Sequence, residues 1–351
     1  MAIRYFNHNV ANQNDNHACA GKNSRQQRRI VISRTDNIGD VALTLPLAGV
    51  LKKFSPDTVV TFLGRSYTLP TVRCCSHVDE TWDWSTIKDL PPDERIDWLK
   101  KQNVDTFIHV FPDKLIAQWA KKAQVKQRIG NAHALTHWTT CNSLPSYTRK
   151  RSDLHESQLN TKLLAPLGIN ESFSLSELGD YAGFTRLPPL PEHLRSTVNT
   201  EKRTVILHPK SRGSAPEWPI ENYVELAKIL DPNIYQLIFT GTAEESASFR
   251  EKIPAQKNIT DLSGQLSLDD LIALISASDC LVAASTGPLH IAGLCGINTV
   301  GLYRDERPVH PRRWSPLGKR VNLVLAEQGH SEGAALNIIP SAVKSAIEGL
   351  L

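Results

Sequence analysis

No stretch of this sequence is apolar over the roughly 18 residues that a membrane-crossing helix needs, so an integral membrane protein of helical type is not expected. Its six cysteines, Cys19, Cys74, Cys75, Cys141, Cys280 and Cys295, lack both the paired C-x-x-C spacing of zinc sites and the density of a secreted disulfide framework. A reducing compartment suits them. Charge of one sign is also scarce: 40 Lys and Arg against 36 Asp and Glu leave a net charge of +4. That balance permits anionic substrates or a negatively charged membrane surface. It does not argue for nucleic acid, because no clustered basic patch with stacking aromatics or nucleic-acid motif accompanies it. No fixed-period repeat is present. The first 28 residues are rich in Asn, Gln, His and Arg without a hydrophobic signal core, and read as a disordered polar tail.

What the chain has is alternation. Its 351 residues exceed what one compact core usually supports, which favours two domains. Short β-branched runs at Arg29 to Arg34, Thr58 to Gly64 and Thr106 to Val110 predict strands, with helices at Val41 to Phe54, Asp93 to Gln102 and His155 to Leu167. A second series follows: strands at Thr204 to His208, Tyr235 to Gly241, Cys280 to Ala284 and Thr299 to Tyr303, and helices at Ile220 to Leu230, Leu268 to Ser278 and from Pro288. Between them Leu187-Pro188-Pro189-Leu190-Pro191 can continue neither a helix nor a central strand. The expected organisation is a polar tail at 1–28, a Rossmann-like domain at 29–183, a linker at 184–200, a second Rossmann-like domain at 201–335 and a terminal helix at 336–351. Alternating strands and helices make each sheet parallel, and ligands of such sheets sit at the carboxyl ends of the strands.

The most informative stretch is Ser285-Thr286-Gly287-Pro288-Leu289-His290, which follows the apolar run Cys280 to Ala284. Strand, small polar turn, helix: a helix start presents unpaired N–H groups and the positive end of its dipole, so phosphate is a natural occupant. Pro288 fits the first turn, where its missing N–H costs nothing. The same residues also cap helices that bind nothing, and His290 suits either a ligand or a local carbonyl. Asp40 ends the loop after the first strand and opens the next helix. It is either a cap or a base that takes a proton from a substrate hydroxyl. Arg34, at the end of the same strand, suits an anionic substrate or leaving phosphate.

Three stretches together resemble the bacterial heptosyltransferases of glycosyltransferase family 9. They are Arg34-Thr35-Asp36-Asn37-Ile38-Gly39-Asp40 through Pro46, His208-Pro209 through Glu217-Trp218-Pro219, and Ser285 through His290. The likeness is ordered and spans roughly Ile30 to Gly318. It implies an α/β GT-B fold, two Rossmann-like domains facing each other across a cleft. It also implies an enzyme that moves heptose from ADP-heptose to the inner core of lipopolysaccharide, with inversion and without metal or cofactor. The partners implied are the nucleotide sugar and a lipid-linked core oligosaccharide at the inner membrane surface, with no nucleic acid. The location implied is cytoplasmic, with peripheral membrane contact compatible with it.

By the same resemblance, Asp40 is the general base. Ser285, Thr286, Gly287 and His290 hold the donor pyrophosphate, Glu245 (or its neighbour Glu244) the donor ribose, and Arg34 and Gly39 phosphates or the acceptor; Arg65, by its place after the second strand, suits either an anionic acceptor or a solvated face. Two positions depart from the family pattern. Ser285 stands where many members have aspartate, and Pro216 where the usual lysine contacts the donor phosphates. Lys210, Ser211 and Arg212, in the loop after the expected strand at Thr204 to His208, are expected to bind the donor, with Lys210 or Arg212 supplying the missing charge. Arg128 and Arg149-Lys150-Arg151 suit either an anionic acceptor or a solvated face, His155-Glu156 matches a family motif only loosely, and Trp82 and Trp84 are expected to pack. The alternatives are a same-fold transferase with another nucleotide sugar or a protein acceptor, and a non-catalytic sugar-nucleotide-binding module.

Overall fold

The computed structural model describes residues 27–150, 152–198, 200–307, 310–326 and 335–351. The polar head, apart from Gln27 and Arg28, and Arg151 of the basic run lie outside the described residues.

Two parallel sheets carry the chain. The first holds β1 (Arg29–Ser33), β2 (Val59–Gly64), β3 (Glu80–Asp83), β4 (Thr106–His109) and β5 (Gln127–Gly130) in the order β3-β2-β1-β4-β5. In the second, β6 (Arg203–His208), β7 (Tyr235–Phe239), β8 (Ile259–Asp261), β9 (Cys280–Ala284), β10 (Asn298–Tyr303) and β11 (Val321–Leu325) follow the order β11-β10-β9-β6-β7-β8. Both orders reverse once, between β1 and β4 and between β6 and β9. At such a reversal the loops leave the strand ends in opposite directions and open a crevice.

The central strands read as continuous apolar runs because helices cover both faces. In β1, Ile30 and Ile32 join Phe62 and Ile108 on one side, while Val31 joins Leu63, Phe107 and Trp119 on the other. Each such side chain contributes about 1.5–3 kcal/mol on full burial. Trp82 and Trp84 belong to this second side, where Trp84 lies 5.3 Å from Trp119 ring to ring, so packing accounts for them. The four strands absent from the sequence reading, β3, β5, β8 and β11, are the outer ones. They are three to five residues long and mostly half-buried; β3, β5 and β8 carry no apolar run to detect, and β11 carries only a short one broken by Asn322.

Prolines divide two helices expected to be continuous. Residues 41–54 become helices Ile38–Ala42 and Pro46–Phe54, separated by a turn, because Pro46 has no N–H to give and starts the second. The helix at 155–167 is α-helical only over Glu156–Thr161. It tightens to 3₁₀ over Lys162–Leu167, where Pro166 sits, and ends at Gly168 with φ 84°. The chain's last helix, Pro340–Glu348, returns to the Ile220–Ile229 helix, where Lys344 donates to the Ile229 carbonyl at 3.1 Å. Among the described residues no helix is long and apolar enough to cross a membrane.

Candidate active site

The loop after β1 and the loop after β9 meet. Each follows a strand at its sheet's reversal point, and each opens a helix, Ile38–Ala42 and Gly287–Cys295. Their contact depends on two glycines. A Cβ on Gly39 would lie 2.7 Å from Cδ2 of His290, and one on Gly287 would lie 2.8 Å from the Ile38 Cβ. Any larger residue at either place would push the helices apart. Between the loops lies a cleft of about 370 Å³, lined by Gly39 and Asp40 from the first half and by Ser285, Thr286, Gly287 and His290 from the second. Asn37, Ser214, Arg313 and Trp314 complete it.

Asp40 stands in a network of like and unlike charges. Arg34, buried, donates from Nε to Asp36 at 2.6 Å, pairs closely with Asp40, and reaches Glu156 at 3.5 Å. Glu156, 1% exposed, is also paired with Arg149 at 3.1 Å and with Arg313 at 3.0 Å. Three carboxylates therefore share three guanidiniums. Burial pushes the Asp40 carboxyl up from its ordinary value, to about 6. Arg34 works against that shift, and the like charges of Asp36 and Glu156 reinforce it. Burial also acts to raise Glu156, but Arg149, Arg34 and Arg313 outweigh it and hold that carboxyl below its ordinary value. One buried carboxylate is thus fixed as an anion while its neighbour, Asp40, is set to exchange a proton near neutrality.

Glu156 was legible only as the weak His155-Glu156 motif. An acidic residue at a helix start ordinarily complements the dipole in water, and nothing local announces that it is buried. Helix Glu156–Thr161 is held on the first loop by Ser157, which donates to the Leu43 carbonyl at 2.8 Å. His155 Nδ1 accepts from the Ser157 N–H at 3.2 Å, which leaves the proton on Nε2 to donate to the Ser315 carbonyl at 2.8 Å. Through His155 and Glu156 the first half grips the Pro311–Trp314 helix of the second.

His290 is neutral: burial and the neighbouring His155 bring its pKa down to about 3. Its Nδ1 and the Thr286 hydroxyl are buried without a hydrogen-bond partner among the described residues. Polar groups left orphaned beside a cleft fit a polar occupant. The Gly287–Cys295 helix has no side-chain cap, so its first-turn N–H groups stay available.

The loop after β6 carries the remaining donor candidates. Lys210 is tied to Glu217 at 2.9 Å, and the buried Ser211 hydroxyl is spent within the loop, donating to the Ala215 carbonyl at 2.8 Å. Arg212 is exposed and left-handed, with φ 51°, and lies close enough to Tyr67 of the first half to lower its phenol's pKa against the larger effect of burial. Glu245, after β7, caps its own helix by accepting from the Thr242 N–H at 2.7 Å. Neither Glu245 nor Arg65, exposed after β2, lines the cleft. Arg128 is structural, donating to the Thr140 carbonyl at 2.7 Å and to that of Val125.

Residues 166–336 match glycosyltransferase family 9 (heptosyltransferase). A glycosyltransferase of Haemophilus influenzae is 26% identical over 303 residues, 82% of this chain and 86% of its own length. The lipopolysaccharide core heptosyltransferase OpsX of the same organism is 22% identical, covering 90% of each chain. The family match covers just under half of the chain, and with these relatives it supports glycosyltransferase family 9. The solved structure of the Escherichia coli ADP-heptose LPS heptosyltransferase II superposes with a TM-score of 0.70 at 18% identity, over 92% of this chain and 98% of that one. The two facing Rossmann-like sheets are accordingly the GT-B fold, and the chain is a glycosyltransferase.

Proposed function

We propose that this protein transfers heptose from ADP-heptose to the inner core of lipopolysaccharide, with inversion at the anomeric carbon, without metal or other cofactor, and with Asp40 as general base. One observation carries the reading: the Asp40 carboxylate and the Ser285-Thr286-Gly287 turn line one cleft from opposite halves of the molecule. The names of the similar proteins, a core heptosyltransferase and an ADP-heptose transferase, supply the sugar and the acceptor class.

In the proposed reaction the acceptor hydroxyl gives its proton to Asp40 as its oxygen attacks the anomeric carbon. The bond from that carbon to the diphosphate breaks on the opposite face, and ADP departs with the electron pair. A base with a pKa near 6 is mostly ionised at neutral pH yet basic enough to take the proton. The developing charge on the diphosphate meets the first-turn N–H groups and dipole of the Gly287–Cys295 helix, with His290 and Thr286 as neutral hydrogen-bonding groups. Arg212 supplies the cation that Pro216 cannot, since Lys210 is engaged with Glu217. Glu245, beyond the residues that line the cleft and fixed by its capping bond in the helix after β7, receives the ribose hydroxyls where the donor extends past the cleft. The acceptor is lipid-linked, so the reaction takes place at the cytoplasmic face of the inner membrane by peripheral contact.

The test is incubation with ADP-heptose and heptose-deficient lipopolysaccharide, reading ADP and the product's anomeric configuration by NMR. Acceptor-dependent ADP release with inverted configuration is expected. A retained configuration, or hydrolysis indifferent to acceptor, would refute the reading.

A further inference from the structure

A second cavity, of about 460 Å³, adjoins the cleft and is lined by Arg149, Lys150, Arg307, His310 and Arg313. Arg313 lines both. The first half contributes Arg149 and Lys150 and the second contributes the other three, so the cavity exists only while the halves are together. Arg307 closes it by crossing to the first half, donating to the Lys150 and Ser152 carbonyls at 3.2 Å and pairing with Asp153 at 2.6 Å.

Its charge is unbalanced. Arg149 and Arg313 share Glu156 with Arg34, whose other partners are Asp36 and Asp40, and Arg307 is held by Asp153. Five cations thus meet four carboxylates, and the positive charge of Lys150 is left over, a setting that favours an anion such as a phosphomonoester. His310 adds the observation that points to a ligand. It is 2% exposed, yet both ring nitrogens lack a hydrogen-bond partner among the described residues. Burial lowers its pKa, and Arg307, Arg312 and Arg313 add to that against Asp305. A buried imidazole with no partner, walled by guanidiniums, is costly unless something anionic pairs with it.

We infer that this two-lobed cavity binds a phosphomonoester on the acceptor saccharide, held by Lys150, Arg307, Arg313 and His310, so that the neighbouring hydroxyl enters the Asp40 cleft. The assignment rests on the transferase reading above. Because both halves build the site, an acceptor bearing the phosphate also favours the closed arrangement in which Gly39 meets His290.

Two measurements on the full chain test it. Inorganic phosphate is titrated while the His310 ring and the Gly287 amide are followed by NMR. A saturable His310 shift is expected, with affinity about tenfold weaker in Lys150→Ala, a surface change that leaves the fold alone. A silent His310, or a response confined to Gly287, would overturn the site. The second measurement compares the acceptor KM for phosphorylated and phosphatase-treated forms of one acceptor. The wild type is expected to favour the phosphorylated form about tenfold, Lys150→Ala to lose that preference, and the donor KM to stay unchanged. Equal KM values for both forms would show that phosphate binds there but that the acceptor does not present it, and would overturn the assignment. The titration needs no turnover, so a failure of heptosyl transfer would sink the proposed reaction and leave the titration result standing.

Discussion

The His290 ring lies against the Cα of Gly39, so close that a methyl group there would sit 2.7 Å from its Cδ2. The contact joins the two halves beside the proposed base. Gly39→Ala is expected to cost about 1–3 kcal/mol by overpacking and to cut transfer sharply by spreading the cleft. Adding His290→Ala should recover part of the stability but none of the activity. Urea melts of the two single variants and the double variant give the coupling. Strict additivity would show that the two residues do not press on each other.

Glu156 neutralises arginines from both halves. Glu156→Gln leaves Arg149 and Arg313 without their carboxylate in a buried setting, and is expected to destabilise by about 3–5 kcal/mol. Because this carboxyl is held low, its contribution is present above the ordinary carboxylate pKa and lost as pH falls through the lowered value. The gap between wild type and variant should therefore narrow in acid. A gap that is constant with pH would contradict the ionised role.

Asp40 shifts the other way. Raised from 3.8 to about 6, it keeps its proton longer in the folded state than in the unfolded. Between those values stability falls as pH rises, by up to about 1.4 kcal/mol per pH unit. Asp40→Asn should remove that slope, so the variant gains on wild type from pH 4 to pH 6. For activity the sign reverses: kcat/KM should rise through an apparent pKa near 6 as the base ionises. Parallel stability curves for the two proteins would show that Asp40 is not perturbed.

Lys210 and Arg212 are separable by their partners. Arg212→Ala should raise the donor KM about tenfold, whereas Lys210→Ala should leave donor affinity nearly intact and loosen the loop that Glu217 holds. Isothermal titration with ADP distinguishes them. The reverse ranking would place Lys210 on the phosphates.

The parallel sheets and their central strands were legible because β1, β6 and β9 are unbroken apolar runs, and Asp40 and Ser285 to His290 because they follow such runs directly. The cleft joining these two motifs was expected from the same pattern. Other features left no local mark. Glu156 and Arg313 are separated by over 150 residues, so their ion pair and the burial it requires belong to the tertiary fold alone. The second basic cavity is assembled from both halves in the same way. The capping bond of Glu245 was within reach, since Thr242 and Glu245 have the spacing of a capping box.

The central claim is that Asp40 removes the acceptor proton. Its most direct measurement is acceptor-dependent ADP release from ADP-heptose by wild type and Asp40→Asn at saturating donor, with ADP affinity checked in both. We expect kcat to fall by about 10²–10⁴ in the variant while ADP binding is retained. An Asp40→Asn protein that turns over within a fewfold of wild type would contradict it.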